Sequence, residues 1–185
     1  FIKGVIKLHR NGIVHRDIKP ANVLIKKTKM SLIDFGLSCR AKDVFKAKYE
    51  HVLSYHYPWY PPEFYIAYIL LRGYSLQNAE SIIQIMRHEG YFTHSYMSLS
   101  LQNIYEEGIY NFINDVKQSG ITNYDDIFTP ELALKSDMFP IAHLISALNK
   151  NIIYKNSQQK EFIEYIYNRC IDCNPYTRIS AEELY

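Results

Sequence analysis

Apolar positions at helical spacing open the chain. Ile2, Val5, Ile6 and Leu8 recur with Lys3 and Lys7 between them, which predicts an amphipathic helix. Asn11-Gly12 closes it, because both residues tolerate a left-handed backbone. Val23-Leu24-Ile25 and Ser31-Leu32-Ile33 read as two short strands, with Lys26-Lys27-Thr28-Lys29 as the polar turn of a small hairpin. Residues 37–62 hold no clean period and contain Pro58, Pro61 and Pro62, which predicts one long loop. Loops longer than roughly 15 residues are usually functional or disordered.

Beyond Glu63 the period becomes helical. Ser75 is placed to cap a helix with Ala79, Ile82, Ile83 and Met86 on one face, stopping near Gly90. Further helices are predicted over residues 101–116 and 136–149. In the second of these, Asp137 stands at the start and Pro140 in the first turn, where proline is tolerated. A final amphipathic stretch covers 158–170, with Phe162, Ile163, Ile166 and Tyr167 as its apolar stripe. The fold class expected is α+β, mainly helical with a small β-hairpin.

Composition narrows the function classes. A length of 185 residues suits one domain, and 48% hydrophobic with 22% charged residues excludes global disorder. Lys and Arg total 21 against 19 acidic residues, a net charge of +2. That balance carries no polyelectrolyte signature, so no nucleic-acid partner is expected. Three cysteines cannot build a disulfide framework, which points to a reducing intracellular compartment, cytoplasmic or nuclear. No apolar run reaches the roughly 18 residues of a membrane span, so no membrane partner is expected. The chain begins in mid-pattern without Met, as a fragment of something longer would.

One string carries chemistry: His15-Arg16-Asp17-Ile18-Lys19-Pro20-Ala21-Asn22-Val23-Leu24, between the first helix and the hairpin. Asp34-Phe35-Gly36 follows the hairpin. This arrangement suits phosphoryl transfer. One carboxylate can accept or orient a hydroxyl proton, while an Asn and a second Asp supply oxygens for magnesium. Lys19 offers a point charge to the migrating phosphate. Gly36 frees the backbone just after the metal ligand.

The string resembles the catalytic loop of eukaryotic-type protein kinases, and Asp34-Phe35-Gly36 resembles their magnesium-binding motif. The resemblance implies the C-terminal lobe of a protein kinase domain over residues 1–185. It implies Asp17 as catalytic base, Lys19 as phosphate contact, and Asn22 and Asp34 as Mg2+ ligands. Leu24 would lie under the adenine of ATP. Pro61-Pro62-Glu63 is similar to the motif closing the activation segment. Asp137 resembles the helix-start Asp that hydrogen-bonds the catalytic-loop backbone. Asn174-Pro175-Tyr176-Thr177-Arg178 resembles the late segment whose Arg pairs with the motif Glu, which predicts a buried Glu63–Arg178 ion pair. Asp17-Ile18-Lys19-Pro20 is similar to serine/threonine kinases, although His56 stands where that class usually has Thr and Trp59 where tyrosine kinases often have Trp.

The departures are as informative. The chain has no glycine-rich phosphate loop and no Val-Ala-Ile-Lys strand, so one wall of the nucleotide cleft is absent and residues 1–185 alone are expected to be inactive. Residues 66–134 look like a helical insertion after the activation segment, with a possible protein partner. Ala142 and Pro140 replace the Gly and Ser usual in the following helix. Arg16 would be the family's basic pocket for a phosphorylated activation segment, with Ser38, Tyr49, Ser54, Tyr55 and Tyr57 as candidate sites and Glu50 as an acidic alternative partner. The expected reaction is transfer of the ATP γ-phosphate to Ser or Thr of a protein substrate. The rival reading is a pseudokinase or scaffold that binds partners through the insertion. Cys170-x-x-Cys173 is read as a packed, reduced pair, and His88 and His94 as surface histidines.

Overall fold

A computed structural model describes residues 1–27, 29–54, 57, 59–76, 78–92, 99–149 and 154–185. The expected helix is α1 (Ile2–Arg10), with Val5 and Ile6 buried and Gly12 left-handed just beyond it at φ +66°. The hairpin is also present, as β2 (Val23–Lys26) paired antiparallel with β3 (Lys29–Leu32). Val23 faces Leu32 and Lys26 faces Lys29, so the turn is tighter than the Lys26–Lys29 stretch suggests and Ile33 falls outside the strand.

A second two-stranded ribbon escapes a periodicity argument. β1 (Ile13–Val14) pairs antiparallel with β4 (Cys39–Arg40), Val14 opposite Cys39. Two residues are too few to show alternation, so only the partner strand defines them. This ribbon gathers the 15–24 string and Asp34-Phe35-Gly36 between its strands.

The predicted long loop over 37–62 is corrected. It contains β4, 3-10 turns at Ala41–Asp43 and Ala47–Tyr49, and the one-turn helix α2 (Glu50–Leu53). Val44, Phe45, Val52 and Leu53 are buried, so tertiary packing orders a stretch without a period. Pro58, Tyr55 and His56 lie outside the described residues. α3 (Pro62–Leu71) begins with Pro62 at its first position, where the missing N–H costs nothing. Its seven buried positions run all round the helix, which makes it a core helix rather than a surface one.

Among the described residues of 66–134 are the later turns of α3, then α4 (Ala79–His88), α5 (Leu99–Ser119), α6 (Tyr124–Ile127) and most of α7 (Pro130–Ser136). Asn78, not Ser75, caps α4, its side chain accepting the Glu80 N–H. These helices are no detachable layer. Ile82, Met86, Tyr105, Ile109, Phe112, Ile113 and Val116 are buried in the same apolar core as Phe64, Ile66 and Phe139. Gly108 brings α5 so close to Cys173 that an added Cβ would lie 2.6 Å from the Cys173 Cβ.

The predicted helix over 136–149 is α8 (Met138–Asn149), with Asp137 in the turn that separates it from α7. α9 (Ser157–Cys170) packs on α8. Ile166 and Tyr167 touch the core, but Phe162 is 58% exposed, so the stripe expected on α9 faces inward only at its C-terminal half.

Candidate active site

Two backbone hydrogen bonds shape the 15–24 segment. The buried Asp137 carboxylate accepts the His15 N–H at 2.7 Å through Oδ2 and the Arg16 N–H at 2.8 Å through Oδ1. His9 Nε2 lies 3.1 Å from Oδ2. Arg16 is held at φ +65°, a conformation that costs a side-chain-bearing residue about 1–3 kcal/mol. Such strain persists only where the surroundings over-determine it, and the two amides on Asp137 do so. Asp34 is also left-handed, at φ +61°, and its Oδ1 accepts the Gly36 N–H at 3.2 Å.

The Asp17 carboxylate is oriented from one side. Lys19 Nζ lies 2.8 Å from Oδ2, and Asn22 Nδ2 donates to the same oxygen at 2.7 Å. Asn22 Nδ2 also donates to the Asp17 carbonyl at 2.9 Å. Pro20 starts the 3-10 turn Pro20–Asn22 that folds Asn22 back onto Asp17. Among the described residues no hydrogen bond falls on Asp17 Oδ1, which leaves that oxygen available to an incoming hydroxyl.

The same geometry fits a hard cation. Because its amide nitrogen is committed to Asp17, Asn22 has its Oδ1 to offer, and Asp34 has Oδ2. An oxygen-only donor set with few protein ligands suits Mg2+, which takes part of its shell from substrate phosphates. Among the described residues there is no group of three or more His, Cys, Asp or Glu that could hold a metal by itself.

Large apolar side chains stand exposed beside these residues. Leu24 and Ile25 are each 55% exposed, and Phe35 48%. Phe35 meets the fully buried His15 edge-on, ring centroids 4.9 Å apart.

Arg16 does not reach Glu50, which faces Arg72 at 3.4 Å instead. Its Nε donates to the Leu37 carbonyl at 2.6 Å, and its guanidinium lies 4.4 Å from the centre of the Tyr49 ring. Nη1 of Arg16 is buried without a hydrogen-bond partner among the described residues. Of the other candidate phosphosites, Ser38 Oγ donates to the His15 carbonyl, Ser54 Oγ to the His51 carbonyl, and Tyr57 stacks on Trp59; Tyr55 lies outside the described residues.

Further from the loop, Glu63 and Arg178 form a fully buried bidentate pair at 2.5 and 2.9 Å. Arg178 Nε donates to the Asp172 carbonyl at 2.7 Å. This pair ties the start of α3 to the segment after α9. A model of the protein kinase domain matches residues 1–185. The chain belongs to the protein kinase family.

Local relatives agree. Over 39 residues the chain is 56% identical to the human MAPK/MAK/MRK overlapping kinase, covering 21% of this chain and 9% of that protein. Over 48 residues it is 44% identical to rat mitogen-activated protein kinase kinase kinase 8, covering 25% and 10%. Over 64 residues it is 47% identical to a putative cyclin-dependent serine/threonine-protein kinase of Dictyostelium discoideum, covering 34% and 9%. The matches thus span about a tenth of each relative's length. No solved structure matches the chain. Among the described residues, no helix is long and apolar enough to cross a membrane.

Two contacts of this kinase site escape sequence reasoning. His9 sits on α1 and shows no motif, and only the fold brings it to Asp137. Tyr49 stands out only as a tyrosine in an unpatterned stretch, yet it covers Arg16. Cys170 and Cys173 are buried free thiols; burial pushes the Cys170 thiol up to about 12 and raises the Cys173 thiol well above its ordinary value, so neither is a ready nucleophile. His88 is exposed, and His94 lies outside the described residues. Tyr91, Phe92 and Tyr105 are core residues, Tyr110 is exposed, and Tyr96 lies outside the described residues. A cavity of about 590 Å³ lies between the ends of α3 and α5 and helix α6, and Asp17 is not among the residues that line it.

Proposed function

We propose that the intact protein transfers the γ-phosphate of ATP to a Ser or Thr hydroxyl of a protein substrate. The observation that carries this reading is the Asp17–Lys19–Asn22 cluster, with its contacts gathered on one carboxylate oxygen. Asp17 Oδ1 accepts the proton of the attacking hydroxyl and so aims its oxygen at the phosphorus. Lys19, already 2.8 Å from Asp17, stands close enough to share its charge with the transferring phosphoryl oxygens. Asn22 holds Asp17 through Nδ2 and presents Oδ1, with Asp34, to Mg2+. When bound, Mg2+ neutralises phosphate charge as the transition state develops. Leu24 and its exposed apolar neighbours offer a surface for the adenine.

The Lys19-Pro20 pairing after Asp17 supports Ser/Thr as the acceptor class. Residues 66–134 we take as an insertion into the kinase lobe. The rival reading, a pseudokinase acting as a scaffold, predicts the same fold without turnover; the intact set Asp17, Lys19, Asn22 and Asp34 favours catalysis. The test is phosphoamino-acid analysis of a general protein substrate incubated with the full-length protein, labelled ATP and Mg2+. Phosphoserine or phosphothreonine is the expected product. Phosphotyrosine alone, or no transfer by a protein that binds ATP, would overturn the assignment.

A further inference from the structure

We propose that Tyr124 is a positioning residue for phosphotransfer: through the backbone of Phe45 it holds the activation segment in place, so that Tyr49 covers Arg16 without any phosphate on the segment. The inference rests on the kinase reading above and adds a role for α6.

The contacts form an unbroken path. The Tyr124 hydroxyl donates to the Phe45 carbonyl at 2.7 Å. Burial pushes the Tyr124 phenol well up from its ordinary value, so it stays a donor throughout the physiological range. The Phe45 ring is buried between Phe64 of α3 and Phe128 just after α6, with centroids 5.7 and 4.9 Å away. Phe128 in turn meets Tyr124 at 4.8 Å and Phe112 of α5 at 6.5 Å. The next residue, Lys46, reaches Asp125 of α6 at 2.7 Å, but both side chains are exposed, so this pair adds little. The Lys46 carbonyl accepts the Tyr49 N–H at 2.9 Å, closing the turn that presents the Tyr49 ring. Two cations lie over the Tyr49 ring, Arg16 4.4 Å from its centre and Lys48 5.1 Å. Arg16 is the neighbour of Asp17 and holds Leu37, two residues after Phe35, through its Nε.

A ring face thus occupies the position where charge would otherwise be needed. Cation–π contact is a weaker partner for guanidinium than phosphate. It is sufficient here because α6 and the aromatic packing fix the segment from its other side.

The test uses the full-length protein. Mass analysis should find the wild-type segment over residues 37–62 unphosphorylated, or phosphatase treatment should leave its activity and the hydrogen exchange of amides 44–53 unchanged. Tyr124→Phe should speed exchange of those amides by about tenfold, the loss expected for one hydrogen bond to a partly buried carbonyl. The same variant should lower kcat/KM for the protein substrate by a similar factor and leave the KM for ATP unchanged. Unchanged exchange in Tyr124→Phe would overturn the proposal. So would wild-type protein that loses segment protection on phosphatase treatment, an arm that decides even if the variant fails to fold. Exchange is read without turnover, so an inactive wild-type protein would refute the kinase reading while the exchange data still judged the brace.

Discussion

The Asp137 carboxylate accepts the Arg16 amide hydrogen at 2.8 Å, across 121 residues of chain. The second oxygen takes the His15 amide, so one buried side chain fixes two successive peptide groups just before Asp17. The left-handed turn at Arg16 is the consequence. Asp17 therefore points where it does because of a residue in the turn between α7 and α8.

Asp137→Ala leaves two buried amides without acceptors. Each orphaned donor costs about 1–3 kcal/mol. Chemical denaturation of the intact protein should show a loss of roughly 2–6 kcal/mol, with phosphotransfer falling alongside. A loss well under 1 kcal/mol would mean that the loop holds its shape unaided.

The Glu63–Arg178 pair should behave as a unit. Glu63→Ala or Arg178→Ala each strands a buried charge, at a cost of about 3–5 kcal/mol. Removing both residues should cost clearly less than the sum of the two single changes. Additive losses in a double-mutant cycle would show that the two side chains act independently.

Gly108→Ala tests how tightly α5 is built into the lobe. The new methyl would meet the Cβ, Cα and N of Cys173, and backbone cannot move aside as a side-chain tip can. Overpacking of this kind costs about 1–3 kcal/mol, more than the helix propensity gained. A stabilised Gly108→Ala protein would show that α5 can shift away from Cys173.

Much of this arrangement can be read in the chain, and the limits have physical causes. The helices α1, α4, α5 and α8 announce themselves through period, and the hairpin through its apolar runs. Asp17, Asn22, Asp34, Glu63, Asp137 and Arg178 stand in motifs, and the structure joins Asp17 to Asn22, Asp137 to the loop backbone and Glu63 to Arg178. β1 and β4 are legible only as a pair, because neither has length of its own. The order in residues 37–54 comes from contacts with α3 and α6, which no local pattern encodes. Gly108 reads as a flaw in a helix until Cys173 is placed against it.

Acid should weaken the fold through His143. Burial lowers its pKa from 6.5 to about 4, and its Nε2 lies 2.9 Å from the Tyr105 hydroxyl. The unfolded chain protonates this residue first as pH falls. Stability is therefore full above about pH 6.5, declines towards pH 4, and levels off below it, a loss on the order of 3 kcal/mol. His143→Gln should flatten that part of the profile in melts of the intact protein at successive pH values. An unchanged acid slope would place the sensitivity elsewhere.

The most direct measurement is the turnover of full-length Asp17→Asn under saturating ATP and Mg2+. Asn is nearly the same size and keeps an oxygen for the Lys19 and Asn22 contacts, so fold and ATP affinity should be close to those of the wild type. What it lacks is a group that can take the hydroxyl proton. The account predicts a fall in kcat of about 100- to 10,000-fold, the usual contribution of a general base. Near-wild-type turnover with unchanged ATP affinity would contradict it, because the base would then be another residue.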